Sequence, residues 1–272
     1  MTKEQQRVPI FHIASMARSG ETMLLHILAR HSSVHVVHNM RKHDRLHEKL
    51  LFHYLMNYRD QQISRYHPFM LPYFVKNNDI LIIKQGVWEH TYPFQGIVFA
   101  RNPLSIFASL KYYGISQDED WKWHWHRFRV PRFIAWLKKM DRSMIKGFAD
   151  KSPLEQFCIF YSRRMKALAV LDQPIIHYEY LVAQPEKYIK IICGFFGIQY
   201  EAGMLNPSKL GYENGHGHYD SDREIDQSSI RKYQERLQEN EMDFVIENTH
   251  ATAKLYGYEF NEYELSISPK VN

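Results

Sequence analysis

Short, nearly continuous apolar runs alternate along the chain with stretches of helical spacing. Val8–Ala14, Val34–Val37, Asp79–Lys84, Gly96–Ala100 and Pro174–Tyr178 each have the length of a strand and the composition of one covered on both faces. The spacing predicts helices over Glu21–Arg30, Pro103–Tyr113 and Pro185–Phe196. It also predicts helix-rich segments over Asp44–Tyr58 and Pro131–Leu171, and an amphipathic closing stretch over Gln227–Tyr256. This alternation predicts an α/β fold of three layers, a central and mostly parallel sheet flanked by helices. Gly211–Asp226 is rich in Gly, His and Asp without periodicity, and is expected to be a long functional loop. With no internal repeat or low-complexity tract, residues 1–272 are expected to form a single domain, its part 227–258 helical.

Composition narrows the classes further. Of 272 residues, 35 are basic and 30 acidic, a net charge of +5; 44% are hydrophobic and 14% aromatic, which excludes disorder, collagen and coiled coil. The longest apolar runs, such as Ile80–Ile83 and Ile97–Ala100, fall far short of the ~18–20 residues a bilayer requires, so no membrane span is expected. Two cysteines, Cys158 and Cys193, are too few for a disulfide scaffold, and the polar start Met1–Arg7 leads straight into a strand. A reducing, cytoplasmic setting is the expectation. The positive charge is mild and no block of it resembles a nucleic-acid arm, so no nucleic-acid partner is expected.

Ser15-Met16-Ala17-Arg18-Ser19-Gly20-Glu21-Thr22-Met23 lies where a strand ends, a small-residue loop turns and a helix begins. That local geometry aims free backbone N–H groups and a helix dipole at one point, an anion cradle to which Ser19 and Thr22 add hydroxyls and Arg18 a guanidinium. Against the Walker pattern, Ser15 replaces the first glycine, Gly20 and Thr22 match, and Glu21 stands where the lysine belongs. A carboxylate there repels a triphosphate and supplies none of the lysine's help to phosphoryl transfer, so ATP chemistry is disfavoured while the cradle is kept. Downstream, Ala100-Arg101-Asn102-Pro103 ends a strand and opens a helix on which Ser105 and Ser109 share a face. Arg101 and Ser109 are expected to reach one anion over the strand ends.

Together these segments resemble the sulfotransferase family. Arg18-Ser19-Gly20-Glu21-Thr22-Met23-Leu24 stands for its phosphosulfate loop, and Arg101 with Ser109 eight positions on stands for its second motif. Ile176-His177-Tyr178-Glu179-Tyr180-Leu181 with Pro185 is similar to its later strand, and Ile230-Arg231-Lys232-Tyr233 with Gly257-Tyr258 to its closing pattern. The resemblance implies a P-loop-like domain using 3′-phosphoadenosine 5′-phosphosulfate (PAPS) as co-substrate, without a metal. It implies Ala17–Met23 (Ala17, Arg18, Ser19, Gly20, Glu21, Thr22, Met23) around the phosphosulfate, and Arg101 and Ser109 on the 3′-phosphate. Tyr178 is implied nearby, as are Gly217 and His218 from a loop 211–226 closing over the nucleotide. The sequence departs from the pattern at Glu21 and Met23.

Arg18 takes the family's position beside the bridging oxygen, where a permanently charged guanidinium gives electrostatic help rather than acid catalysis. For the base, the resemblance to glycan-type and bacterial-type members points to His38, just past the second strand. The small-molecule cytosolic branch's histidine is replaced by Gly86, with Glu89 and His90 as nearby alternatives. Seven histidines fall between His26 and His53, but without a Cys partner or a zinc-binding spacing they read as part of an ordinary helical region. Trp121–Phe128, with alternating tryptophans and cations, reads either as core or as an aromatic surface for a saccharide or anionic acceptor. The leading expectation is a sulfotransferase acting on a hydroxyl or amine of a saccharide or other small metabolite. A small-molecule P-loop kinase and a non-catalytic nucleotide- or nucleic-acid-binding protein are the alternatives.

Overall fold

The computed structural model describes residues 9–37, 80–85, 95–112, 120–140, 142–206, 225 and 227–268. Along the chain run β1 (Ile10–Ser15), α1 (Glu21–Leu28), β2 (Val34–Val37), β3 (Ile80–Gln85), β4 (Gly96–Ala100) and α2 (Pro103–Lys111). There follow α3 (Trp121–His124), a π-helical turn (Trp125–Arg129), α4 (Val130–Met140), a 3-10 turn (Arg142–Ile145), α5 (Pro153–Ala169) and β5 (Ile175–His177). The chain ends with α6 (Tyr178–Ala183), α7 (Pro185–Phe195), a 3-10 turn (Ala202–Leu205), α8 (Ser228–Arg236), α9 (Glu239–Lys254), β6 (Tyr258–Asn261) and β7 (Glu264–Ile267). A central five-stranded sheet of order β2-β3-β1-β4-β5 carries the fold, flanked by helices; β2–β3, β3–β1 and β1–β4 all pair in parallel. This is the α/β architecture expected from the strand–helix alternation. No helix among the described residues is long and apolar enough to cross a membrane.

The chain divides into two compact units. The first comprises Met1–Ser15, Gly20–Phe99 and Tyr180–Ile225. The first four residues of β3 are apolar because both faces are covered: Ile80, Leu81, Ile82 and Ile83 are all buried, each worth about 1.5–3 kcal/mol relative to exposure. β4 enters the sheet at Gly96, paired with His12; a Cβ at Gly96 would collide with the His12 carbonyl oxygen, so glycine is what lets these strands approach. Phe11 packs on Phe195 and Phe196 at ring-centroid distances of 6.3 and 4.9 Å, joining β1 to the end of α7. Behind α1, the His31 ring donates to the Gln199 carbonyl at 2.7 Å and Arg30 to the Met204 carbonyl at 3.2 Å.

The second unit comprises Met16–Ser19, Ala100–Glu179 and Asp226–Asn272. Here α5 starts on a reciprocal cap between Ser152 and Glu155 with Pro153 in its first turn, and α9 packs on α5, on α2 and on β6. The closing amphipathic stretch is two helices, because the chain is extended at Leu237 and Gln238 and the latter caps α9 with Glu241. The helical part expected to reach residue 258 stops at Lys254. Gly257, at φ 76°, turns the chain into the hairpin β6–β7, whose alternating Tyr258, Phe260 and Leu265, Ile267 the helical reading passed over. The strand expected over Pro174–Tyr178 is shorter, and Tyr178 already begins α6. The segment Asp44–Tyr58, the histidines His38, His43, His47 and His53, and all of 211–226 save Ile225 lie outside the described residues.

Candidate active site

The loop between β1 and α1 is shaped by two left-handed residues. Arg18 has φ 75° and Gly20 φ 92°, with Ser19 between them and the Ser19 N–H donating to the Met16 carbonyl at 3.1 Å. Gly20 adopts this conformation without steric cost, whereas at Arg18 it costs about 1–2 kcal/mol, strain of the kind stored at ligand-binding loops. Gly20 is the N-cap of α1 and has no side chain with which to cap it. The Ser19 side chain is fully buried, and its hydroxyl has no hydrogen-bond partner among the described residues. A buried hydroxyl left unmatched costs about 1–3 kcal/mol, which makes Ser19 a candidate contact for a bound group. Glu21 is buried in the first turn of α1, where its charge favours the helix dipole and opposes a highly charged triphosphate. Met23 is buried and Ala17 exposed.

Within the second unit, Met16–Ser19 is held by residues far along the chain. Arg18 Nε donates to the Ser109 hydroxyl on α2 at 3.0 Å. Arg101, buried at the end of β4, donates to the Arg18 carbonyl at 3.0 Å and to the Ser229 carbonyl at 2.9 Å, and its guanidinium lies 4.1 Å from the centre of the Tyr178 ring. The Tyr178 hydroxyl bonds the Ser229 hydroxyl. Arg18, Arg101, Ser109 and Tyr178, all expected site residues, therefore form one connected group, with Ser19 next to Arg18 in the chain. Here Ser109 accepts from Arg18, while Arg101 donates to two backbone carbonyls.

Behind this group stands Glu179, buried and bonded at both oxygens. Its Oε1 accepts from the Asn102 N–H at 3.0 Å and the Asn102 side-chain amide at 2.8 Å, and its Oε2 accepts from the Tyr258 hydroxyl at 2.9 Å. Asn102 in turn caps α2, its Oδ1 accepting from the Ser105 N–H at 2.8 Å, with Pro103 in the first turn. Burial beside Glu179 drives the Tyr258 phenol well above its ordinary pKa, so it remains a hydrogen-bond donor. Glu179 carries no assigned role in the sequence motifs, and Ser229 lies outside them. A carboxylate between two tyrosines at a strand end was a signal for the first; the second acts through its carbonyl, which no residue type announces. His38, Glu89, His90, Gly217 and His218 lie outside the described residues.

No protein-family model matches the chain and no curated protein does. Among solved structures, a sulfotransferase domain from the curacin biosynthetic pathway superposes with a TM-score of 0.52 at 18% identity, covering 90% of this chain and 98% of that one. The chain has a sulfotransferase fold. A sulfotransferase domain from the Synechococcus PCC 7002 olefin synthase gives a TM-score of 0.49 at 16% identity, covering 92% of this chain and 96% of that one. Mouse sulfotransferase SULT7A1, solved as a complex with PAP, gives 0.46 at 13% identity, covering 94% of each chain.

Proposed function

We propose that this chain is a PAPS-dependent sulfotransferase, transferring a sulfuryl group to a hydroxyl or amine of a saccharide or other small acceptor. The observation that carries the reading is the buried, unmatched Ser19 hydroxyl between left-handed Arg18 and Gly20 at the start of α1, a polar group that an anion would match. The donor set fits: backbone N–H groups, hydroxyls and two guanidinium groups, with a carboxylate, Glu21, in place of the lysine of phosphoryl transfer. When bound, PAPS supplies an activated sulfuryl group.

Ala17–Met23 hold the 5′-phosphosulfate and Arg101 with Ser109 the 3′-phosphate, with Tyr178 supporting Arg101 and Gly217 and His218 contributing from the later segment. Arg18 stabilises negative charge on the departing phosphate and carries no proton away, since a guanidinium remains charged. His38 takes the acceptor's proton, with His90 or Glu89 as the alternative base. The 272 residues act as one functional domain.

The test is titration calorimetry with adenosine 3′,5′-bisphosphate and with ATP, without added metal, on wild type and Arg101→Ala. Tight binding of the bisphosphate that Arg101→Ala abolishes supports the reading, provided circular dichroism shows the variant folded. Magnesium-dependent preference for ATP overturns it in favour of a kinase. Arg18→Ala is expected to retain bisphosphate binding and lose transfer, which separates an enzyme from a nucleotide-binding protein.

A further inference from the structure

The helical run Trp121–Met140 contains six cations and no Asp or Glu. Its inner side is fully engaged. Trp125 is buried against Phe107 and Phe133 at 5.9 and 5.6 Å and donates from Nε1 to Gln156 at 2.8 Å, while Trp121 meets Phe107 edge-on at 6.5 Å. The outer side is a second aromatic set that the core does not use. Trp123 is 57% exposed and Phe128 40% exposed. The π-helical turn widens the repeat so that these residues, five apart, bring their rings to 6.1 Å at 78°. The Arg127 guanidinium lies 5.3 Å from the Trp123 ring centre and 5.8 Å from that of Phe128, with Lys122, His126 and Arg132 also exposed. Neither Lys122 nor Arg127 pairs with a carboxylate among the described residues.

We infer that this face, centred on Trp123, Arg127 and Phe128, docks an acidic saccharide chain. The indole offers a flat apolar surface to the C–H face of a pyranose ring, and the cations beside it meet the carboxylate or sulfate groups that such a chain carries at regular intervals. The rings are anchored by the buried half of the same helix, so little side-chain freedom is lost on binding. A guanidinium held over both rings suits a ligand that brings sugar faces and anions together. It opposes insertion into hydrocarbon, which would strip water from the charge. The binding is a property of this face alone and stands independently of the nucleotide reading. The helix it packs on, α2, also carries Ser109.

The test measures binding of hyaluronan and heparin hexasaccharides, neutral maltohexaose, and phosphatidylserine-containing vesicles to the full chain without nucleotide. Wild type is expected to bind both acidic hexasaccharides, more weakly as salt rises, and to ignore maltohexaose. Trp123→Ala and Arg127→Ala, both at exposed positions and expected to keep the wild-type melting temperature, should each weaken binding about tenfold. Lys166→Ala, which removes the same charge from exposed α5, should leave it within about twofold. The inference is overturned if neither acidic hexasaccharide binds, or if Trp123→Ala has no effect. An equal loss with Lys166→Ala means general charge attraction, and Trp123-dependent binding of vesicles alone means a membrane surface; both also overturn it.

Discussion

Arg18 donates from Nε to the Ser109 hydroxyl at 3.0 Å, joining residues 91 positions apart in sequence. This bond ties Arg18, within Met16–Ser19, to the middle of α2, so under the proposed function an anion held by one of the two side chains depends on the other. Ser109→Ala removes the acceptor and leaves α2 intact, since alanine is the better helix former. The melting temperature should stay within a degree or two, while affinity for adenosine 3′,5′-bisphosphate falls about tenfold by calorimetry. Unchanged affinity would remove Ser109 from the nucleotide site.

Glu179 supports a different part of the same group. Its two oxygens accept three hydrogen bonds from Asn102 and Tyr258. Glu179→Gln keeps the shape but turns one acceptor into a donor facing another donor, leaving a buried mismatch worth about 2–4 kcal/mol. Urea denaturation should show a loss of that size with an unchanged slope. Glu179→Ala should be no less damaging, because Asn102 then caps α2 without its own support.

The strands of the central sheet were legible because each is a short, mostly apolar run. Ile80–Ile83 admit few other readings, and Asn102-Pro103 marked the start of α2 through chemistry that acts within one turn. The site was legible only where side chains carry it. Arg18, Ser19 and Arg101 stood out in sequence, but the Arg18 and Ser229 carbonyls that accept from Arg101 did not, since a backbone acceptor leaves no trace in residue type. The hairpin β6–β7 was missed because its alternation is only half-buried and follows a helical stretch without a strong break before Gly257.

Stability should depend on pH through His177. Burial lowers its pKa below the ordinary 6.5, against the opposing pull of its 2.7 Å hydrogen bond to the Tyr256 carbonyl and of Glu179. The unfolded chain therefore binds the proton more readily. The contribution to stability is complete above the unfolded value and is lost as pH falls towards the lowered folded one. His26 shifts in the same direction, through burial and then Arg30. Urea unfolding between about pH 7 and pH 5 should show falling stability, less steeply in His177→Gln, whose amide can still donate to Tyr256. A slope unaltered in both His177→Gln and His26→Gln would locate the acid sensitivity elsewhere.

The second unit also contains a buried ion pair whose energetics can be separated. Lys111 Nζ donates to both oxygens of Glu241 at 2.7 and 2.8 Å, and its charge lies 4.6 Å from the Trp121 ring centre. Glu241 also accepts from the Gln238 N–H at 3.0 Å as part of the cap of α9, so the pair locks the last turn of α2 to the first turn of α9. Removing one charge strands the other in a site with little water. Lys111→Met should therefore cost about 3–5 kcal/mol, more than its lost contacts alone would explain. Lys111→Met with Glu241→Leu removes both desolvated charges together and should recover most of that loss, less about 1 kcal/mol for the α9 cap. A double-mutant cycle by urea denaturation measures the difference. Additive single losses would mean that water reaches the pair and that α2 is held to α9 by packing alone.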